Sequence, residues 1–380
     1  MTRPSAAVTN ALTRELATWL EEPPPDRAAV MRRWSPSTWA AFRRAVTMHG
    51  LAPHLAGSLP GSELGGAMPA PTLDWLAEQA GRNEERIARM HAELAAILGA
   101  AESADVEVMP LKGAVLSTMP GADPARRPMA DLDLLVRAGD RVRLGEVLVG
   151  LGYRHAPDGH RRLTHDVFVE PGGGGRPVDP DGEHRDNPRR VEVHVEVKRH
   201  LWGWADDDDL TAELWRGASR GEILGRPATL PRPESLLAHL AIHASSDLLS
   251  GRGRLVQWLD LGRMAPVAGD LDRLPHPRLA YPSLRLARRV LPIALGGTDL
   301  AGLERLVPDG LTRWAASVRL DASCGLTTGR PPGEPATLGA RWERWRPDRW
   351  RLLVAYGEAP LPVALGRHAL TVAGRARRRD

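Results

Sequence analysis

Apolar and polar residues alternate without a slip along Val191-Glu192-Val193-His194-Val195-Glu196-Val197. That period of two predicts a strand with Glu192, His194 and Glu196 on one face. The same period runs through Asp131-Leu132-Asp133-Leu134-Leu135-Val136. There Asp131 and Asp133 share a face while Leu132, Leu134 and Val136 bury the other. A short apolar run, Val106 to Met109, predicts a strand that delivers Leu111-Lys112-Gly113. Residues 160–170 (HRRLTHDVFVE) predict another strand, and Gly221 to Leu230 a last strand or hairpin.

Elsewhere the spacing is helical. Helices are expected over Asn10 to Leu20 and Ser37 to Met48, broken by Glu22-Pro23-Pro24-Pro25. A long one runs from Thr72 to Ala101, with Leu73, Leu76, Ile87, Met90, Leu94 and Ile97 as its stripe. Asp140 to Leu151 follows, ended by Gly152. From Arg232 onward the pattern is helical again: Glu234 to Leu249, Leu255 to Met264, Pro282 to Val290, and more to about residue 320. Pro and Gly make loops of 57–71, of the stretch around Pro120, Gly121, Pro124 and Pro128, and of 171–190. These elements divide the chain into a helical lead-in (1–70), a mixed core (71–230), a helical domain (231–330) and a Trp- and Arg-rich C-terminal segment with a basic tail (331–380).

Composition narrows the class. At 380 residues with 42% hydrophobic content, the chain is long enough for two domains with packed cores. A single cysteine, Cys324, excludes an internal disulfide framework and suits a reducing cytoplasm, the expected location. No apolar run reaches membrane-spanning length. A net charge of +4 does not by itself argue for nucleic acid. Only two of the 51 basic residues are lysines, Lys112 and Lys198, and each lies in or beside a proposed site strand. A compact ammonium differs from a guanidinium near phosphate or metal.

The chemistry follows from the carboxylates. On its own the Asp-Leu-Asp triplet reads as a solvated edge strand. Its neighbours change that reading. Two adjacent carboxylates repel unless something positive lies between them, and a hard cation such as magnesium takes carboxylate oxygens together with phosphates. Gly113 lets the backbone approach a phosphate closely, and a helix start after it favours negative charge. If the 191–197 strand lies beside the Asp131–Val136 strand, Glu192 becomes a third acid of the same site. Arg127 is placed to hold a phosphate or pair with the acids. His194 can orient a carboxylate, bind substrate or move a proton, whereas His165 alone reads as ordinary structure. His239 and His243 share a helix face, but Leu240 stands where a zinc hydrolase needs its Glu, so that chemistry is rejected. The acids at 206–209 point in different directions in any regular structure and read as a solvated helix start.

Leu111-Lys112-Gly113, then Arg127-Pro128-Met129-Ala130-Asp131-Leu132-Asp133, then Val191-Glu192-Val193-His194 resembles the uncharacterised bacterial nucleotidyltransferase family of the polymerase-beta-like superfold. Leu236 to Ala244 and Trp258-Leu259-Asp260-Leu261 agree, so the resemblance covers roughly residues 75 to 265. It implies an α+β fold, a small mixed sheet flanked by helices, with helical additions at both ends. It also implies two Mg²⁺ ions (or Mn²⁺) held by Asp131, Asp133 and Glu192, with an NTP such as ATP as substrate. Lys112, Gly113, Arg127, His194 and Lys198 would contact the nucleotide. The acceptor would be a small molecule, a peptide or protein, or RNA. One departure is Ala114, where the superfold often has Ser or Gly after the turn glycine. It motivates a second reading, a nucleotide-binding or regulatory module without turnover. A third is a nucleic-acid-binding protein using the basic tail with Trp342, Trp345 and Trp350.

Overall fold

The computed structural model describes residues 6–21, 23–156, 165–171, 186–197, 209–249, 253–297, 299–318, 320 and 359–377. Lys198, Cys324, the acids at 206–208 and the segment carrying Trp342, Trp345 and Trp350 lie outside them. The chain forms two compact units. A helical unit comprises residues 1–22, 198–210 and 233–380; a sheet unit comprises 23–197 and 211–232. The fold is α+β.

The first helix, α1 (Ala6–Thr18), belongs to the helical unit and buries Leu12, Leu16 and Ala17. The sheet unit begins with α2 (Arg27–Met31) and α3 (Pro36–His49). Ser35 caps α3 by accepting a hydrogen bond from Thr38 N at 3.2 Å, Pro36 occupies the first turn, and Gly50 ends it at φ 66°. Two short helices follow, α4 (Ala52–Ser58) and α5 (Glu63–Gly66). Both fall where the sequence shows only punctuation or nothing, because one or two turns are too short to display a period. Residues 57–71 are therefore not all loop: Ser62 caps α5 by accepting from Gly65 N at 3.1 Å.

The long helix α6 (Ala70–Ser103) buries Leu76, Ile87, Met90, Leu94 and Ile97, as its stripe requires. It also buries Gln79, Asn83 and Arg86, which the apolar pattern passes over. Then come β1 (Val108–Pro110), α7 (Gly113–Leu116), β2 (Asp131–Val136), α8 (Arg141–Gly150), β3 (Arg154–Ala156), β4 (His165–Val169), β5 (Arg190–His194), α9 (Thr211–Trp215), β6 (Ser219–Ile223) and β7 (Arg226–Leu230). The sheet order is β1-β2-β5-β4-β3, and β2 and β5 run parallel while the other neighbours are antiparallel. The β6–β7 hairpin forms a second, two-stranded sheet, with Thr229 Oγ1 donating to Glu107 Oε1 at 2.8 Å.

The strand expected to reach Val197 stops at His194. Beyond it the Val197 amide donates to Thr211 Oγ1 at 2.7 Å, so the ladder is replaced by a side-chain acceptor and Glu196 leaves the strand face.

The helical unit continues with α10 (Pro233–Leu249), α11 (Leu255–Ala268), α12 (Pro277–Val290), α13 (Ala301–Arg305), α14 (Asp309–Ser317) and α15 (Leu361–Arg377). Helix α12 packs on α10, α11 and α14, and Ser283 Oγ donates to Ala241 O at 2.7 Å. It begins five residues earlier than expected. Pro277 holds the first-turn position that the sequence reading gives to Pro282, and Pro282 sits inside the helix in the buried core. No helix among the described residues is long and apolar enough to cross a membrane.

Candidate active site

Strand register brings the predicted acids together. In the parallel β2–β5 pair, Asp133 lies opposite Glu192, Asp131 opposite Arg190 and Leu135 opposite His194. In the antiparallel β5–β4 pair, His165 lies opposite His194 and Val167 opposite Glu192. Residues directly opposite share a face, so one face carries Asp131, Asp133, Glu192, His194 and His165. The remaining residues of β2 are buried, which pins this register against a one-residue slip.

The turn after β1 supplies the positive charge. The Leu111 amide still pairs with Asp133 O at 2.9 Å. The chain then turns at Lys112, whose φ of 46° and ψ of −121° lie in a region that favours glycine. This turn sends the Lys112 ammonium onto Asp133 Oδ1 as a close ion pair. Gly113 begins α7, and a Cβ there would lie 2.7 Å from Arg127 Nη1 and 2.8 Å from Met129 Sδ. The glycine leaves room for the Arg127 guanidinium against the turn. Ala114 is fully buried, so the position where a hydroxyl was expected belongs to the core.

Asp133 is 2% exposed and accepts twice, from Lys112 and from His194 Nε2 at 3.0 Å. Burial opposes its charge, but the Lys112 ammonium and the His194 hydrogen bond overcome burial and hold the carboxyl well below its usual range. Asp131 goes the other way. Burial, then the Asp133 and Glu192 charges, push it up to about 7, although Lys112 and Arg127 restrain the rise. Glu192 is opposed by burial and by Asp133, yet the His194 hydrogen bond and His165 keep it below its usual value. Burial disfavours charge on His194, but its bonds to Asp133 and Glu192 raise it. His165 is lowered, chiefly by burial.

Of the predicted residues, Lys112, Gly113, Arg127, Asp131, Asp133, Glu192 and His194 thus gather around one face of the β2–β5 pair, and Lys198 lies outside the described residues. His239 is buried in the helical unit, and His243 Nδ1 lies 3.8 Å from Asp247 Oδ2 there. Two residues that no local period singles out, His165 and Arg86, also contact this region. His165 Nε2 lies 3.4 Å from Glu192 Oε2, a contact that only cross-strand pairing reveals. Arg86, 2% exposed, donates to Met129 O (3.0 Å), Ala130 O (3.2 Å), Asn187 O (2.6 Å) and Pro188 O (2.9 Å). It therefore clasps the segments that lead into both β2 and β5.

Among solved structures, the solution structure of the antibiotic-resistance factor ANT(2'')-Ia shares 18% identity over 60% of this chain and 95% of its own, with a TM-score of 0.30. The crystal structure of ANT(2'')-Ia with adenylyl-2''-tobramycin gives 18%, 57%, 94% and 0.30 for the same measures. An antigenic nucleotidyltransferase-like protein from Paracoccidioides brasiliensis gives 18%, 54%, 91% and 0.34. No curated protein matches. The profile of the family described as "Uncharacterised nucleotidyltransferase" matches residues 35–274, more than half of the chain and all of the strands that carry the acids. The chain belongs to this uncharacterised nucleotidyltransferase family.

Proposed function

We propose that the protein transfers a nucleoside monophosphate from an NTP to an acceptor, with Asp131, Asp133 and Glu192 holding two divalent ions. The observation that carries this reading is the parallel register that sets Asp133 beside Glu192, with Asp131 on the same face. The donor set fits a hard cation: three carboxylates converge, and burial, with the Asp133 and Glu192 charges adding to it, pushes Asp131 up to about 7. When bound, Mg²⁺ (or Mn²⁺) neutralises triphosphate charge and lowers the pKa of an acceptor hydroxyl.

The chain's own groups do the rest. In the free protein Lys112 neutralises Asp133. Were the carboxylates to hold cations, the Lys112 ammonium would be free to meet a phosphate oxygen, a point-charge contact suited to lysine. Gly113 keeps the turn open beside Arg127, whose guanidinium adds a second phosphate contact. His194 Nε2 bridges Asp133 and Glu192, at 3.0 and 3.6 Å, and orients both carboxylates. Lys198, just beyond β5, is proposed as a further nucleotide contact. The acceptor is a small molecule, a peptide or protein, or RNA, and a cytoplasmic setting suits the NTP requirement.

The test is pyrophosphate release from each NTP with Mg²⁺ and a panel of acceptors. Asp133→Asn is expected to cut the rate by roughly 100-fold or more, the factor that ~3 kcal/mol of lost electrostatic stabilisation gives. Equal rates in variant and wild type would remove the assignment. Nucleotide binding without pyrophosphate release would favour the non-catalytic module instead.

A further inference from the structure

Next to the aspartates, two imidazoles meet a carboxylate. His165 of β4 and His194 of β5 are direct cross-strand partners, with ring centroids 4.6 Å apart and planes tilted by 45°. The Nε2 atoms of both approach the same oxygen, Glu192 Oε2, at 3.4 Å for His165 and 3.6 Å for His194. One ligand atom from each of the three residues lies within 4.8 Å of the others. Around a tetrahedral ion with bonds of about 2.0–2.2 Å, neighbouring ligand atoms are roughly 3.3–3.5 Å apart. The two contacts to Glu192 already have nearly that length. Side-chain exposures of 13%, 20% and 12% for His165, Glu192 and His194 make the cluster sheltered but open to an entering ion.

The donor set does not suit magnesium, which takes oxygen ligands and keeps its waters. Two imidazole nitrogens and one carboxylate oxygen suit the borderline ions of the first transition row. A hydrogen-bond network around Asp133 would account for His194 alone, since His194 bonds Asp133 directly. It gives no reason for a second imidazole aimed at the same Glu192 oxygen.

We propose that His165, Glu192 and His194 form a site for one borderline first-row divalent ion, of the Zn²⁺ or Co²⁺ class, beside the hard-cation position at Asp131 and Asp133 and sharing Glu192 with it. The ion takes a lone pair from each Nε2, so the proton that His194 shares with Asp133 and Glu192 passes to solvent on binding. The site stands on its own donor chemistry and goes beyond the transfer reading.

The experiment uses the full-length chain, stripped by chelator and titrated with Co²⁺. One equivalent is expected to develop the visible absorption of low-coordinate cobalt. His165→Ala and His165→Gln should each weaken that binding by at least about tenfold, while Asp131→Asn keeps the band. Cu²⁺ provides a second readout on the wild type alone: its EPR spectrum should show hyperfine coupling to two imidazole nitrogens. A wild type with no cobalt band and no nitrogen coupling overturns the proposal, and so does unchanged cobalt affinity in both folded His165 variants. Magnesium-dependent transfer by a protein that shows neither signal sinks the ion site alone. A cobalt band without any transfer sinks the transfer reading alone.

Discussion

Asp131 and Asp133 stand two residues apart on one strand face, yet their carboxyls titrate in opposite directions. Asp133 takes a direct contact from Lys112 and a hydrogen bond from His194, while at Asp131 burial and the Asp133 charge outweigh the attraction of Lys112. A carboxyl raised in the folded chain stabilises folding below its unfolded pKa and loses that contribution as pH climbs through its folded value. In metal-free protein this loss should run from about pH 4, the ordinary aspartate value, to about 7, where Asp131 ionises. Asp131→Asn stays neutral throughout and escapes the loss. In chelator at pH 8 it is expected to be more stable than wild type by on the order of 4 kcal/mol, with no gain at pH 4. Urea unfolding at the two pH values checks this, and an equal effect at both would refute it. Lys112 holds a second testable strain. Lys112→Gly and Lys112→Met both remove the ammonium, but only glycine is at ease at φ 46°. The glycine variant should be the more stable of the two by about 1 kcal/mol, measured by thermal unfolding. The acids were legible in the sequence because a period of two is a local signal. The opposed titration was not, because it depends on which side chain a left-handed turn brings back.

At the scale of elements, the site depends on β2 and β5 arriving together, and Arg86 of α6 controls that arrival. Its guanidinium donates to carbonyls of 129–130 and 187–188, the residues just before each strand. Nearby, Arg189 Nε bonds Glu93 Oε1 of the same helix at 2.8 Å, and the Arg189 amide donates to Glu170 Oε2 at 3.0 Å. Arg86→Met fills similar volume but leaves buried carbonyls without these donors, at about 1–3 kcal/mol each where no water replaces them. It is expected to destabilise the fold by roughly 3 kcal/mol or more, and to lower Mg²⁺ affinity even at temperatures where the variant is folded. Calorimetric titration alongside unfolding distinguishes the effects; full affinity in the folded variant would show that Arg86 supports only stability. Such a residue is hard to see beforehand. The helical stripe of α6 identifies Leu76, Ile87 and Met90 by hydrophobicity, and an arginine on that stripe looks like an interruption. His165 is obscured for a related reason: β4 shows one histidine, and only its pairing with β5 sets that ring against His194. The strands other than β3, the long helix and the acid face follow local periods, whereas β3, the short helices, the end of β5 and the buried Pro282 follow from tertiary partners.

At the scale of the molecule, the first 22 residues belong with the C-terminal helices and not with the strands that follow them in sequence. Glu21 is the visible tie. Its Oε2 accepts from the Ile293 amide at 2.7 Å and its Oε1 from the Ala294 amide at 2.6 Å. These amides lie just past α12, and a carboxylate that takes two of them fixes how the chain leaves that helix. Leu16, Trp19 and Leu20 add buried apolar area to the same unit. Chain order therefore separates what the fold joins, and closing the helical unit must wait until a distant segment docks. Because the contact is exposed, Glu21→Ala is expected to cost only about 1 kcal/mol. Leu16→Ala, at a site with no exposure, should cost about 2–5 kcal/mol. Hydrogen exchange gives the decisive pattern. Both substitutions should speed amide exchange in α10, α11 and α12, with the larger effect for Leu16→Ala, and leave β2 and β5 at wild-type protection. Uniform acceleration across all strands and helices would show instead that the two units unfold as one, and that the N-terminal helix guards the carboxylate site as well as its own unit.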